Sequence, residues 1–185
     1  MEKIDWGENV ANVGDADYSR IEPGAYVARI VAATDYAENK YFELIYDIAE
    51  GPHTGYYSNT WGAEHPKAHR IVMSYKPQAL DMLKGRMNAF DASNPGFDSR
   101  AAYNAGRLDY FVNRLIGVNL REYEYLRNDG TVGVGMMCDQ VATAQAVRDG
   151  LVKTRPIKKL NGGTKGSTTT SIDKDVAASI DVPFA

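Results

Sequence analysis

Residues 116–139 are the part of the sequence that most restricts how this chain can fold. Two runs compatible with β-structure flank Asn128-Asp129-Gly130, in which Asp129-Gly130 suits the positive φ values of a tight turn. The sequence therefore predicts a two-stranded antiparallel ribbon that turns at this tripeptide.

One face of the first predicted strand carries an unusual row of side chains. Successive strand residues point to opposite faces, so the row consists of Asn119, Arg121, Tyr123, Tyr125 and Arg127. Guanidinium groups suit phosphates, and flat rings between them suit bases of any identity, which is the chemistry that a single-stranded nucleic acid needs. A solvated edge hairpin with ordinary tyrosines is the alternative that the pattern leaves open.

The opposite row is apolar only at its ends. Glu122 and Glu124 interrupt it, which predicts a β-bulge or a projection beyond the core. In the second strand, Cys138 falls in the apolar-leaning row and is expected to be a buried small hydrophobe. Because it is the only cysteine, no intrachain disulfide can form, and a reducing compartment is expected.

Composition and charge limit the class of protein. With 185 residues, 44% of them hydrophobic and 24% charged, the chain can bury one good core as a single globular domain with appendages. The net charge of −3 is uneven: Lys and Arg number 4 against 12 Asp and Glu in residues 1–64, 15 against 9 in 65–160, and 2 against 3 in 161–185. This asymmetry predicts a basic surface in the middle of the chain and favours a polyanionic partner.

Neither a membrane nor a cofactor is expected. The chain has no run of about 18 apolar residues, and residues 1–6 lack the basic-then-apolar pattern of a signal peptide. These features predict a soluble, intracellular protein.

The first half of the chain reads as a β-meander that follows an acidic arm at residues 1–20. A strand is predicted from residue 25 to 33, and a second over 41–48, where apolar and polar side chains alternate most cleanly. Turn residues at 50–53 precede a third predicted strand over 54–61, with Tyr57, Asn59 and Trp61 on one face.

From residue 77 onward, the apolar residues recur with the period of an α-helix instead of that of a strand. Pro77 suits the first turn of a helix in which Leu80, Leu83, Met87 and Phe90 recur at spacings of three and four. Ser93-Asn94-Pro95-Gly96 ends this helix. A weaker helical pattern over 98–114 runs into Tyr110-Phe111-Val112, which is predicted to begin the fourth strand.

The segments that follow the hairpin are short. Residues 142–149 predict a helix that ends at Gly150, and residues 151–160 form a basic extension with Lys153, Arg155, Lys158 and Lys159. From residue 161 the Gly/Ser/Thr-rich sequence cannot bury enough apolar area to order itself, so residues 161–185 are expected to be a disordered tail.

Three strands, a helical segment and two strands form the order of an OB-fold. The predicted fold class is therefore mainly β: a five-stranded OB-fold barrel with helices between strands 3 and 4. The domain would span residues 21–160, with a helical insert at about 66–110. Fold alone does not fix function, so the site residues must carry that argument.

In its motifs the chain resembles a family of phage-encoded single-stranded DNA-binding proteins that was long catalogued as a domain of unknown function. The likeness lies in Pro-Gly-Ala-Tyr at 23–26, Ser-Tyr-Lys at 74–76, Leu-Lys-Gly at 83–85 with Ser-Asn-Pro-Gly at 93–96, and Asn-Asp-Gly-Thr-Val-Gly at 128–133. It implies an OB-fold that coats single-stranded DNA during phage replication or recombination, in the cytoplasm of the infected bacterial host.

The end of the chain carries a second resemblance. Asp181-Val182-Pro183-Phe184 is similar to the acidic tip through which bacterial single-stranded DNA-binding proteins dock replication and repair proteins. Only one aspartate directly precedes this tip, and Ala185 follows Phe184, whereas the bacterial tip uses the carboxylate of a terminal phenylalanine. The resemblance implies that partner proteins are recruited through residues 181–184 by their carboxylate and their apolar ring.

The DNA-binding candidates combine cations with aromatic rings, on the expectation that bases stack and phosphates are neutralised without sequence preference. They are Arg121, Tyr123, Tyr125 and Arg127 on the hairpin, Arg29, Tyr57 and Trp61 on the meander, and Lys67, Arg70, Lys76 and Lys84 near the helix. For each tyrosine the alternative is core or rim packing, and Trp61 could plug the barrel. The lysines and arginines could simply be solvated.

Other functions rest on weaker patterns. His65 and His69, with Glu64 or Cys138, would make an incomplete zinc pattern, so no metal is predicted. A metal-dependent nuclease or a hydrolase would use Glu43 and Asp47, but the sequence predicts no enzyme. A protein-interaction module, such as a recombination mediator or a structural phage protein, is the main alternative, and the chain could also form a homo-oligomer.

Overall fold

The structure, a computed structural model, describes residues 21–58 and 69–160. The predictions for the arm at 1–20, for Trp61, Lys67 and His65, and for the tail at 161–185 lie outside the described residues.

The described chain is mainly β, and its five strands form one antiparallel sheet in the order β3-β2-β1-β4-β5. The strands are β1 (Gly24–Tyr36), β2 (Tyr41–Ile48), β3 (Arg70–Ser74), β4 (Leu115–Leu126) and β5 (Val132–Ala142). The α-helices are α1 (Leu80–Ser93), α2 (Ser99–Asn104) and α3 (Ala144–Arg148), with 3-10 turns at Ala37–Asn39, Pro77–Ala79 and Leu108–Phe111.

The sheet is open. Within residues 21–58 and 69–160, β3 and β5 form its two edges and share no strand pairing. Helix α1 lies between β3 and β4 in the chain, as predicted, and the arrangement is compatible with an OB-like fold.

The core lies between one face of the sheet and the helical segment. The apolar row of β2, Phe42, Leu44, Tyr46 and Ile48, lies in the core as its alternation predicts. Glu43 and Asp47 of the opposite row are buried as well, so both faces of this strand are covered. From the helical side, Leu83, Met87 and Phe90 of α1 are buried, and the Phe90 ring meets Phe111 edge-on with centroids 5.2 Å apart. The predicted helix is thus confirmed, with Leu80 left partly exposed at its start.

A side chain ends α1 and ties it to the sheet. The Asn94 amide donates to the Phe90 carbonyl and to the Leu115 carbonyl, both at 2.8 Å, and its oxygen accepts from Leu115 N–H at 2.9 Å. These bonds satisfy a free carbonyl in the last helical turn and fix the start of β4. The predicted stop at Ser93-Asn94-Pro95-Gly96 is therefore confirmed.

The predicted third strand is wrong. Residues 54–58 form turns, and β3 lies further on, at Arg70–Ser74. The Asp47 carboxylate accepts the Tyr57 N–H at 2.9 Å and the Ser58 N–H at 3.0 Å, so two backbone donors that a strand would use are bound to a side chain. The helical insert consequently begins after β3 rather than near residue 66.

The predicted start of the fourth strand is also wrong. Leu108–Phe111 forms a 3-10 turn, and β4 begins only at Leu115. Phe111 is fully buried against Phe90 and Phe97, so the apolar run around it packs onto the helices rather than joining the sheet. An apolar run as short as this has no period that separates the two outcomes.

Strands β4 and β5 form the predicted ribbon. Arg127 N–H donates to the Thr131 carbonyl at 2.8 Å, and Gly130 has φ +82° at the turn. Of the predicted Asp129-Gly130 pair, only the glycine takes positive φ. Asp129 instead accepts the Thr131 N–H at 2.9 Å and its hydroxyl at 2.7 Å, which stabilises the loop.

The predicted bulge occurs at the base of the ribbon. Asn119 faces Gln140 while Leu120 faces Cys138, which leaves Asp139 as the extra residue of β5. Strand β1 accompanies β4 only as far as Leu120, so the rest of the hairpin projects past β1. Glu122 and Glu124 in the apolar row of β4 predict a bulge or a projection, and the hairpin has both.

Cys138 packs against the core but is only partly buried, so the prediction of a buried small hydrophobe is confirmed in part. Burial raises the pKa of its thiol to about 12, so almost no thiolate is present at neutral pH. This environment leaves the sulfur chemically inert.

Candidate nucleic-acid interface

Two tyrosine rings lie across two glycines on the projecting part of the hairpin. Tyr123 is opposite Gly135, and Tyr125 is opposite Gly133. A Cβ atom on Gly135 would lie 2.6 Å from Cε1 of Tyr123, and one on Gly133 would lie 2.7 Å from Cζ of Tyr125. The rings therefore occupy the space that side chains of β5 would otherwise need.

This packing places the two rings side by side. Their centroids are 5.8 Å apart, their planes are inclined at 43°, and both side chains are half-buried. An aromatic ring across a glycine covers the bare backbone and limits the ring's movement. Neighbouring rings that are held in place and partly open to solvent can act as a stacking platform for bases.

Arg127 completes the row at the tip of the hairpin. It is exposed, and its Nε lies 2.9 Å from the Cβ position on Gly133, beside the Tyr125 ring. Its guanidinium forms no ion pair with any residue that the structure describes. A cation beside an aromatic ring, without a counter-ion, is available for a phosphate.

Arg121 lies at the other end of the row and is largely covered. Its Nε donates to the Pro156 carbonyl at 2.7 Å, its guanidinium lies 3.4 Å from the Asp139 carboxylate, and its side chain is 19% exposed. Arg155 approaches the same carboxylate at 3.2 Å. Arg121 thus holds a neighbouring segment, residues 151–160, which we call the strap.

The strap runs beside β4 where β1 no longer accompanies it. Lys158 N–H donates to the Glu122 carbonyl, and the Lys158 carbonyl accepts from Glu124 N–H, both at 2.9 Å. Nearer its start, the Lys153 carbonyl accepts from the Asn119 side-chain amide at 2.9 Å. Sequence reasoning identified this extension as basic but had no signal that it pairs with a strand more than 30 residues earlier in the chain.

The last part of the strap meets the other row of the hairpin. The Lys159 ammonium lies 2.7 Å from the Glu124 carboxylate, which also accepts the Leu160 N–H at 3.0 Å. These bonds lower the pKa of Glu124 and keep it ionised. One interrupting glutamate of the sequence pattern therefore serves to hold the strap.

Tyr57, predicted to stack on bases, is instead a core residue. It is 4% exposed, its ring stacks on His69 with centroids 4.4 Å apart, and it meets Tyr46 edge-on at 5.7 Å. Burial raises the pKa of its hydroxyl. The prediction is wrong because residues 54–58 form a turn rather than a strand, and the Tyr57 ring points from that turn into the core.

Arg70 and Arg29 lie away from the hairpin row. Arg70 pairs with Glu43 at 2.7 Å, and both side chains are nearly covered. Arg29 is exposed but is level with Leu115, six residues and about 20 Å along β4 from Arg121. Helix α3 covers β4 between these positions, since a Cβ on Gly117 would lie 2.6 Å from the Val147 side chain.

The two lysines near the helix are exposed and are not joined to the hairpin by hydrogen bonds or ion pairs. Lys76 precedes the turn at Pro77–Ala79, and Lys84 on α1 pairs with Asp81 at 3.1 Å. The structure thus brings together the hairpin candidates and leaves the described candidates of the meander and helix elsewhere.

The carboxylates proposed for a nuclease are already used in the fold. Glu43 is paired with Arg70, and Asp47 accepts backbone N–H groups from the turn at 54–58. His69 is buried against Tyr57, and burial lowers its pKa. Within the described ranges, no group of three or more His, Cys, Asp or Glu residues is placed to hold a metal ion.

A separate cleft of about 360 Å³ opens at the far end of β1. Its wall includes the Tyr75 and Tyr103 rings and the carboxylates of Asp35 and Asp109. The Tyr75 hydroxyl donates to Asp35 at 3.4 Å, and Asp109 is paired with Arg107 at 2.7 Å. An opening bordered by carboxylates does not favour phosphates.

The second face of the hairpin tip is apolar and exposed. Leu126, Val132 and Val134 keep 53%, 54% and 40% of their surfaces exposed. Leu126 lies directly opposite Val132, so the exposed side chains form one patch.

Comparison with protein-family models and with curated protein sequences does not assign the chain to a family. Neither a family model nor a curated protein sequence matches the chain. Among the helices of residues 21–58 and 69–160, none has the length and apolar character that crossing a membrane requires.

Proposed function

We propose that this protein is a non-enzymatic, largely sequence-independent single-stranded DNA-binding protein. The observation that carries the proposal is the pair of neighbouring tyrosine rings, Tyr123 and Tyr125, each held over a glycine and followed by Arg127, which forms no ion pair within residues 21–58 and 69–160. Bases would stack on the rings, and phosphates would contact the guanidinium.

This arrangement suits a single strand rather than a duplex. Stacking on a protein ring requires a base face that is not covered by its neighbours, which paired and stacked duplex bases do not offer. Every base has a π-face, so the rings would bind with little sequence preference. Phosphate contacts release counterions, so the affinity would fall steeply as salt rises.

The topology supports an OB-fold as the scaffold. The strand order β3-β2-β1-β4-β5 and the helix between β3 and β4 agree with a barrel that is left open between β3 and β5. OB-folds bind single strands through an open face and its loops, and the β4–β5 hairpin is a projecting element of that kind.

The biological setting follows from resemblance in the sequence. A role in phage DNA replication or recombination, in the cytoplasm of the bacterial host, agrees with the motifs at 23–26, 74–76 and 128–133. In the same proposal, Asp181-Val182-Pro183-Phe184 recruits replication or recombination proteins, with aspartate and phenylalanine as the recognised groups.

The experiment that tests the proposal is a fluorescence anisotropy titration of labelled oligo-dT, with a duplex of matched length as the control. We expect tight binding to the single strand, much weaker binding to the duplex, and a loss of affinity between 50 and 200 mM salt of roughly tenfold or more. Absence of single-strand binding at 50 mM salt would contradict the proposal.

A second candidate, a protein-interaction module, is favoured by the exposed apolar patch of Leu126, Val132 and Val134. A partner protein would cover this patch from the face opposite the tyrosines. Stoichiometric capture of a partner from nuclease-treated lysate by the wild-type chain, and its loss in Val134→Asp, would favour this function. Persistence of capture in that variant would count against the patch.

A further inference from the structure

We propose that the strap adds a second phosphate-binding position to the hairpin site, and that Lys158 supplies it. The ligand group is a phosphodiester of the same single strand, so the inference rests on the proposed function. It assigns a contact to a residue far outside the tyrosine row in sequence.

The backbone pairing fixes where Lys158 lies. Its N–H donates to the Glu122 carbonyl, and its carbonyl accepts from Glu124 N–H, both at 2.9 Å, which makes Lys158 the parallel bridge partner of Tyr123. Side chains of directly paired strand residues project from the same face. Lys158 and Tyr123 therefore share the face that carries the tyrosine row.

Tyr123 consequently has a neighbour on each side. Gly135 lies beneath its ring on the β5 side, and Lys158 lies on the strap side. Arg127 stands at the other end of the row, beside Tyr125. Two cations thus border a pair of rings, so a strand whose bases stack on the rings could place a phosphate at each end.

Lys158 differs from Arg155 and Lys159, the neighbouring cations of the strap, in its ion pairing. Arg155 shares the Asp139 carboxylate with Arg121, and Lys159 is paired with Glu124 at 2.7 Å. Lys158 forms no ion pair with any residue in the described part of the chain. No carboxylate of the described ranges therefore neutralises its charge, which leaves the ammonium available for a phosphate.

The strap is held firmly enough for this role. Asn119 and Arg121 bind the carbonyls of Lys153 and Pro156 at 2.9 and 2.7 Å, and the two backbone bonds of Lys158 add to them. A binding group on an anchored backbone loses less freedom on binding than one on a free segment. Arg121 and Arg155 are positioning residues in this arrangement.

Lys158 and Lys159 form a matched pair for the test. They are adjacent, each replacement removes one positive charge, and only Lys158 shares the face of the tyrosines. We would measure oligo-dT affinity of the full chain over a series of salt concentrations for wild type, Lys158→Ala and Lys159→Ala. Far-ultraviolet circular dichroism of each variant would check the fold.

For Lys158→Ala we expect a several-fold weaker affinity at low salt and a slope of log affinity against log salt that is shallower by about 0.7, the value of one contact to a single strand. Lys159→Ala should keep the wild-type slope, because the bonds from Asn119 and Arg121 and the two backbone bonds of Lys158 still hold the strap without the Lys159–Glu124 ion pair. Lys158→Arg, which keeps the charge, should restore the slope.

Equal slopes for wild type and Lys158→Ala, or equal loss in both alanine variants, would overturn the inference. In either case tight binding by the wild type would leave the proposed function standing. Absence of wild-type binding to oligo-dT would instead overturn the proposed function, and the inference with it.

Discussion

The protein has two pairs of tyrosines with nearly the same ring separation, one pair inside the core and the other partly exposed on the hairpin. Tyr46 and Tyr57 meet edge-on at 5.7 Å, are at most 4% exposed, and pack with His69 inside the core. Tyr123 and Tyr125 also lie 5.8 Å apart, but on a hairpin that projects past β1 and with part of each ring open to solvent.

The difference lies in what faces each ring. The core tyrosines meet other rings from several elements, which remove them from water and contribute to stability. The hairpin tyrosines lie across Gly133 and Gly135, which support one side of each ring and add no side chain. A ring that keeps part of its surface open to solvent can bind a further flat group there. Truncation to alanine should therefore mainly reduce stability in the core pair and mainly reduce binding in the hairpin pair.

The largest effect should come from Tyr57→Ala. Removing a buried ring that contacts Tyr46 and His69 leaves a cavity, and we expect a loss of about 3–5 kcal/mol in the free energy of unfolding. Urea denaturation followed by circular dichroism would measure it. Affinity for oligo-dT, corrected for the folded fraction, should stay at the wild-type value. A variant as stable as wild type would show that the ring is not a core element.

The second-largest effect is expected for Tyr125→Ala, which should mainly weaken the affinity for oligo-dT. Loss of one stacking ring is expected to weaken oligo-dT binding by about 1–3 kcal/mol, with a smaller change of stability because the side chain is only partly buried. Anisotropy and urea denaturation on the same sample would separate the two quantities.

Tyr110→Ala is the matched control for that variant. Tyr110 is 47% exposed and lies beneath Arg107, whose guanidinium carbon is 4.1 Å from the ring centroid, so it is also an exposed ring beside an arginine. It stands outside the hairpin row and should keep wild-type affinity. Equal losses of affinity in the two variants would mean that exposed tyrosines contribute generally and that the hairpin pair is not a site.

The smallest expected effect is a pH dependence of the free energy of unfolding that comes from the buried His69 side chain. Burial lowers the pKa of His69 below its usual value near 6.5, so the unfolded chain takes up a proton in a range where the folded chain resists it. Stability should therefore fall as pH drops below about 6.5, with a slope of at most about 1.4 kcal/mol per pH unit from this group. Urea denaturation between pH 7.5 and 5.5 would measure the fall.

The variant His69→Phe should show a shallower dependence over the same range, because it keeps a ring against Tyr57 and carries no proton. Parallel profiles for wild type and variant would assign the pH dependence to other groups.

Sequence reasoning succeeded where local pattern and local chemistry agreed. Alternation around a turn predicts the β4–β5 hairpin, Glu122 and Glu124 predict a bulge or a projection in it, and apolar spacing between Pro77 and Asn94 predicts α1. Each of these features depends on residues close to one another in the chain, so their side chains already specify the outcome.

It failed where a distant contact decided the outcome. Tyr57 and its neighbours look like a strand, but the Asp47 carboxylate binds two of their backbone N–H groups and holds them in a turn. Phe111 looks like the start of a strand and instead fills space beside Phe90. Propensity is a weak signal when a side chain or a core cavity can satisfy the same groups in another way.

By itself, then, the sequence determined which residues alternate, where the hairpin turns and which face of it carries tyrosines between arginines. Only the tertiary structure decided that glycines lie beneath those rings, that Arg121 is covered, and that the strap brings Lys158 beside Tyr123. The reason is physical: alternation is a property of one strand, whereas the neighbour across a strand depends on register and on pairing between segments about 35 residues apart.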